Sequence, residues 1–268
     1  MHFSRRTLWF VAGAMAVCGS LLLWISRPAP DNATRARQFG ETQGIVIGYG
    51  DPSSFYIPPY LPEDAHIPTV EMKAARPKDI EPALDGIEDA LKKYPPGFMS
   101  KLIKAIFICG DMTIAGAPAG GTYGPAWVLL AAPSGIGSEG IRLTCRMGVH
   151  HELSSFVYLR GDNAVRWRKM EPDNWRFAAT PEAQIQRYKS TPPDPATGFL
   201  SAYGATTPEN DFNVYAEKMM TELSTVVRLS KLHPMVAKKA AFVRECYVAI
   251  DPRMRTLLDV ERPDQTNQ

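Results

Sequence analysis

The run GVHHELSSF, residues 148–156, decides how this chain is read. Two of its five histidines stand side by side, directly before a glutamate. His151 and Glu152, followed by Leu153, Ser154 and Ser155, supply the first two members of the pattern HExxH. In that pattern two imidazoles one helical turn apart hold a zinc ion, and the glutamate between them takes a proton from metal-bound water. Here the second imidazole is replaced by Ser155, whose neutral hydroxyl is a weak zinc ligand. The residues alone leave two readings open. The run is either a metal-binding helix, or a solvated helix start in which Glu152 is favoured by the helix dipole and the serines allow close packing.

Outward from this run the pattern alternates between short apolar stretches and helical stripes. Val149, Leu153, Phe156 and Val157 form a helical stripe, ended by a turn at Gly161-Asp162. Upstream, KAIFICG and AWVLLAA are apolar runs bounded by glycine and proline, hence strands, and IRLTC is expected to be another. Between the first two lies MTIAGAPAGGTYGP, too rich in glycine for a helix interior. GIVIGYG opens the domain as a strand at Gly44, and a proline-rich loop carrying His66 follows. Leu84, Ile87, Ala90 and Leu91 mark a helix stopped by Pro95-Pro96.

Downstream, Phe212, Ala216, Met219 and Leu223 mark a helix with Thr206 or Thr207 as its N-cap and Pro208 in its first turn. A last helix after His233-Pro234 carries Val236, Ala240, Val243 and Tyr247. A β-rich half with one helix, then a helical half, is an α+β arrangement.

The N-terminus differs in kind. Residues 8–25 are almost wholly apolar and follow Arg5-Arg6. Eighteen such residues lie at the lower edge of what crosses a hydrocarbon core roughly 30 Å thick. The positive-inside rule puts the start in the cytoplasm and the rest outside. Residues 1–26 are therefore expected to be a transmembrane signal anchor or an export signal, 27–43 a flexible polar tether, and 44–268 the domain. The twin-arginine character of SRRTLWF points to the same export. A net charge of +2, with no basic run interleaved with aromatics, does not suggest a nucleic-acid partner. Cys109, Cys145 and Cys246 have no metal-type spacing and are either buried thiols or, for Cys109 and Cys145, a disulfide formed outside the cytoplasm.

Taken in order, several motifs carry a resemblance. They are the helix ending in a proline pair, the glycine-rich AGGTYG, VHHELSSF, GFLSAYG and PENDFNVYAE. Over roughly residues 80–225 they resemble a family of extracytoplasmic zinc metallopeptidases, zincin-like and distantly similar to the anthrax lethal factor catalytic domain. VHHELSSF is similar to the HHExSS form of that family's motif. The resemblance implies a zincin-like fold: a small N-terminal sheet, a catalytic-type helix and a helical C-terminal half, preceded by one transmembrane helix. It implies zinc as cofactor and a peptide or protein substrate in the envelope of a bacterium. The domain would hang from the inner membrane by a single pass, in the periplasm or outside the cell.

Carried over position by position, the resemblance makes His151 the first metal ligand and Glu152 the general base. His150 becomes an alternative or supporting ligand, and Tyr203 a donor to a developing oxyanion. The family's glutamate ligand falls on Asn210, with Glu209 and Asp211 on either side as candidates. Glu217 becomes an acid supporting the site. The alternative is a non-catalytic envelope binding protein that kept the fold and lost the metal, or a structural envelope protein. In that case Tyr203 is a core aromatic and Glu209 and Asp211 are ordinary first-turn acids.

Overall fold

The computed structural model describes residues 31–52, 70–172, 175–177, 183 and 194–259. The apolar run 8–25 and His66 lie outside the described residues. Among the described residues no helix is long and apolar enough to cross a membrane.

The chain enters through α1 (Asn32–Gln43), capped at its start by Asp31, whose carboxylate accepts from the Thr34 amide at 2.7 Å. Gly44 ends it in the left-handed region that favours glycine. Then come β1 (Val46–Tyr49), β2 (Val70–Met72) and α2 (Pro77–Leu91), with proline at the first helical position, where its missing N–H costs nothing. β3 (Ala105–Cys109), β4 (Met112–Ile114), β5 (Ala117–Pro118), β6 (Gly121–Tyr123) and β7 (Trp127–Ala131) follow. The rest is helical: α3 (Gly137–Tyr158), α4 (Asn163–Arg168), α5 (Pro208–Thr221), α6 (Leu223–Leu232), α7 (Pro234–Ile250) and α8 (Met254–Leu257).

One sheet has the order β1-β3-β7-β6. Its first three strands are parallel, with Ile47 opposite Ile106 and Ile106 opposite Val128. β6 runs antiparallel to β7, with Thr122 opposite Leu129, and forms an edge. The middle strands are buried on both faces, so both read as continuous apolar runs. Ile106, Ile108, Val128 and Leu130 face the main core under the helices. Cys109, Leu129 and Ala131 face a small second core shared with Met112. The antiparallel sheet β2-β4-β5 contributes Val70 and Met72 to that second core.

α3 is the central helix, packed on β7, β6, α2 and α5. Ile141, Cys145, Val149, Leu153 and Val157, four residues apart, are all buried. Its contact with α2 is very close: a Cβ at Gly86 would stand 2.1 Å from the Arg142 carbonyl oxygen. Trp167 fills the helical half, edge-on to Phe212 at 5.1 Å and to Tyr215 at 5.5 Å.

The α+β class and the helical C-terminal half stand as expected, and four local readings change. IRLTC is helix, because Ile141 and Cys145 extend the stripe of Val149 and Leu153 one turn after another. Residues 32–43 are a docked helix, whereas a flexible tether was expected. Arg35 pairs with Asp85 at 2.5 Å and Glu88 at 3.2 Å, and Gln43 donates to the Leu91 and Tyr94 carbonyls. The helix begun at Pro208 breaks at Glu222, so Leu223 starts α6. Cys109 and Cys145 are buried free thiols, and burial pushes each up to about 12.

Candidate functional site

The buried stripe of α3 sets the rotation of that helix, and with it the direction of every residue in the opening motif. His150 and His151 lie about 100° apart around the axis. His150 turns into the core toward α2. Its Nδ1 is 2.8 Å from the Tyr94 hydroxyl, and Nε2 has no hydrogen-bond partner among the described residues. Burial, aided by the charges of Arg146 and Lys93, pulls its pKa down to about 3, so this imidazole is neutral. His150 is therefore a core residue, and its expected role as a ligand is withdrawn.

His151 turns toward α5, with Nδ1 3.2 Å from Glu217 Oε2. Burial opposes its charged form. The hydrogen bond to Glu217 and the negative charges of Glu152, Glu217 and Glu209 outweigh burial, and the pKa rises above the ordinary histidine value. Tyr203 lies tilted over this ring, the centroids 5.4 Å apart, with its own side chain exposed at the mouth. Burial of its hydroxyl, then Glu152, Glu209 and Glu217, raise the phenol pKa.

Glu152 lies against the edge strand. A Cβ on Gly121 would stand 2.8 Å from Glu152 Oε1, so glycine is what lets β6 approach this carboxyl. Burial is the main cause that pushes Glu152 up to about 7. Glu209 and Glu217 add to it and His151 acts against it. Two residues on from Gly121, on the same strand face, Tyr123 donates its hydroxyl to Glu209 Oε1 at 2.6 Å. Its phenol pKa is raised by burial, then by Glu209 and Glu152, while the Ser155 hydroxyl pulls it the other way.

The remaining positions are taken up elsewhere. Ser154 and Ser155 are completely buried. Asn213 Nδ2 donates to Ser155 Oγ at 2.9 Å, and Ser154 Oγ lies 2.5 Å from Asn213 Oδ1. Asn210 donates to Thr206 Oγ1 at 2.8 Å. Asp211, considered a possible ligand, is fully buried on the far side of α5, 2.6 Å from Lys239 Nζ, and does not face His151. The cluster thus assembles His151, Glu152, Tyr203 and Glu209 from the expected set and leaves out His150 and Asp211. Glu217 supports His151 as expected. The sequence reading missed Tyr123 and Asn213. Strand alternation from Gly121 is the signal that points Tyr123 at the helices. Nothing in the sequence singles out Asn213.

A catalytic zinc takes three protein donors at about 2 Å. His151 suits the part, because a carboxylate on one ring nitrogen orients the other outward. The other two positions do not. Ser155 is tied to Asn213 and Asn210 to Thr206, and Glu209 has one oxygen, Oε1, engaged by the Tyr123 hydroxyl. Among the described residues no three His, Cys, Asp or Glu side chains are grouped so as to hold a metal ion. The residues present do not fit a three-ligand zinc centre. What the cluster does offer is a carboxyl titrating near neutrality beside an imidazole and two phenols, which can hydrogen-bond a polar ligand and exchange protons with it.

No protein-family model and no curated protein matches the chain. Among solved structures, it is similar to the crystal structure of a "putative zinc-binding metallo-peptidase" from Bacteroides caccae. The identity is 14%, the match covers 89% of this chain and 99% of that one, and the TM-score is 0.49.

Proposed function

We propose that the chain is a membrane-anchored, extracytoplasmic protein of zincin-like design that binds peptide segments and does not use zinc chemistry. The observation that carries this is the Ser155–Asn213 hydrogen bond at 2.9 Å, in which the residue at the second-imidazole position is committed to the neighbouring helix. The peptide reading is supported by β6. This strand is the sheet edge next to the cluster. Gly120 O and Gly124 N are bonded to β7, so by alternation the backbone groups of Gly121 and Tyr123 turn to the open side. An extended peptide can add there as a further strand, with Glu152, His151 and Tyr203 meeting its polar groups. The anchor and export rest on Arg5-Arg6 and the apolar run 8–25.

The test is a peptide-library binding assay on the full chain in detergent, with and without EDTA, followed by a cleavage assay with zinc added. The expected result is binding that EDTA does not change, and no cleavage. A second reading, a zinc-dependent peptidase acting on envelope peptides, is favoured by the Glu217–His151 contact and by the elevated Glu152. It requires about one zinc per chain and cleavage that disappears in Glu152→Gln with the metal retained. That outcome would replace the first reading.

A further inference from the structure

Three elements meet at the cluster: the edge strand β6, the motif helix α3 and the following helix α5. In a zinc site of the HExxH kind the metal joins the motif helix to the later element that supplies its third ligand, and metal binding is coupled to folding. Here a different set of bonds joins them. Gly121 brings β6 against Glu152 of α3. Tyr123, two residues on, lays its ring edge-on to Phe156 of α3 at 5.4 Å. Its hydroxyl crosses to Glu209 in the first turn of α5 at 2.6 Å. Ser155, small and completely buried, borders the same phenol and is bonded in turn to Asn213 of α5.

We infer that Tyr123 and Glu209 form a protein-made clasp that takes over the joining role of a metal, tying β6 and α5 to the motif helix. Glu209 is thereby held as an acceptor for the phenol, and Ser155 is the small residue that accommodates the phenol at the second-imidazole position. The clasp rests on the absence of a three-donor centre and not on peptide binding. Loss of peptide binding with the clasp intact would sink the previous reading and leave this one standing.

The experiment is a double-mutant cycle on the full chain. Thermal unfolding is followed for the wild type, Tyr123→Phe, Glu209→Ala and the pair, each with EDTA and with zinc. Tyr123→Phe keeps the ring on Phe156 and removes only the hydroxyl. It is expected to lower Tm by about 3 °C. The pair should fall no further than the worse single variant, because both remove one bond. EDTA and zinc should leave the wild-type Tm unchanged. Additive effects of the two substitutions would overturn the clasp. So would a wild-type Tm that drops in EDTA, or one zinc per purified chain. Should Tyr123→Phe fail to fold, the EDTA and metal-content arms on the wild type still decide.

Discussion

Helix α5 carries two acidic clusters, and they are built on opposite plans. On one side Asp211 and, from beyond α4, Glu171 close on Lys239 Nζ at 2.6 and 3.0 Å. Lys239 is completely buried beneath aromatic rings, with Phe199 at 4.6 Å and Trp167 at 5.2 Å. This cluster has its own cation, and its geometry is closed. On the other side Glu217, Glu209 and Glu152 gather around His151, and among the described residues no lysine or arginine is paired with any of them. That cluster is only partly covered, and within it burial pushes Glu152 up to about 7 while the surrounding acids raise the His151 imidazole above its ordinary value. The same residue types make a closed structural rivet in one place and an open acidic cluster in the other. What separates the two is a paired cation and the exclusion of water.

The largest expected effect lies on the rivet. Lys239→Ala leaves two carboxyls in the core with no counter-charge. Breaking a buried pair in this way costs about 3–5 kcal/mol, a Tm loss on the order of 10 °C. Circular dichroism melting measures it, and a Tm within experimental error of wild type would erase the contrast.

Glu152→Gln sharpens the comparison from the open side. The Glu152 pKa rises from 4.5 to about 7 on folding, so the folded chain holds this proton after the unfolded chain has released it. Stability from this group is complete below pH 4.5 and is lost as pH rises through about 7. Glutamine cannot ionise. The variant should match wild type near pH 4.5 and exceed it above neutrality, by about 5 °C once partial solvent access is allowed for. Equal melting profiles at both pH values would place Glu152 in an ordinary solvated environment.

The smallest effect on stability is expected from Glu217→Gln, which loosens a contact between two side chains each 12% exposed and also relieves repulsion among the acids. Its Tm should move by less than about 2 °C. The His151 imidazole should titrate lower by NMR, because a hydrogen bond to a carboxylate and a negative charge have both been removed. An unchanged His151 titration would break the pairing of α3 with α5 at this point.

Much of the fold was legible because it rests on periodicity. The parallel strands β3 and β7 announced themselves as apolar runs, and Thr207 and Pro208 marked the start of α5 through N-cap chemistry. IRLTC misled because a five-residue apolar run has no periodicity of its own. The stripe becomes visible only when Ile141 and Cys145 are counted together with Val149 and Leu153. Residues 32–43 read as a tether because their apolar content is low. The helix is held by Arg35 and Gln43 reaching to α2, contacts between residues about fifty positions apart.

The site divides in the same way. By itself the sequence determined that His151, Glu152 and Ser155 share one helix and that a second helix begins at Pro208 with acids in its first turn, since capping and helical spacing are local. Only the tertiary structure decided the fate of each side chain. His150 and His151 are neighbours of one type, yet one meets Tyr94 and becomes a neutral core residue while the other meets Glu217 and is charged more readily. Glu209 and Asp211 differ by two positions, and rotation about α5 sends one to Tyr123 and the other to Lys239. A turn of about 100° per residue is written in the chain. Which partner waits at each angle depends on how β6, α3, α5 and α7 pack, and packing is a property of distant residues brought together.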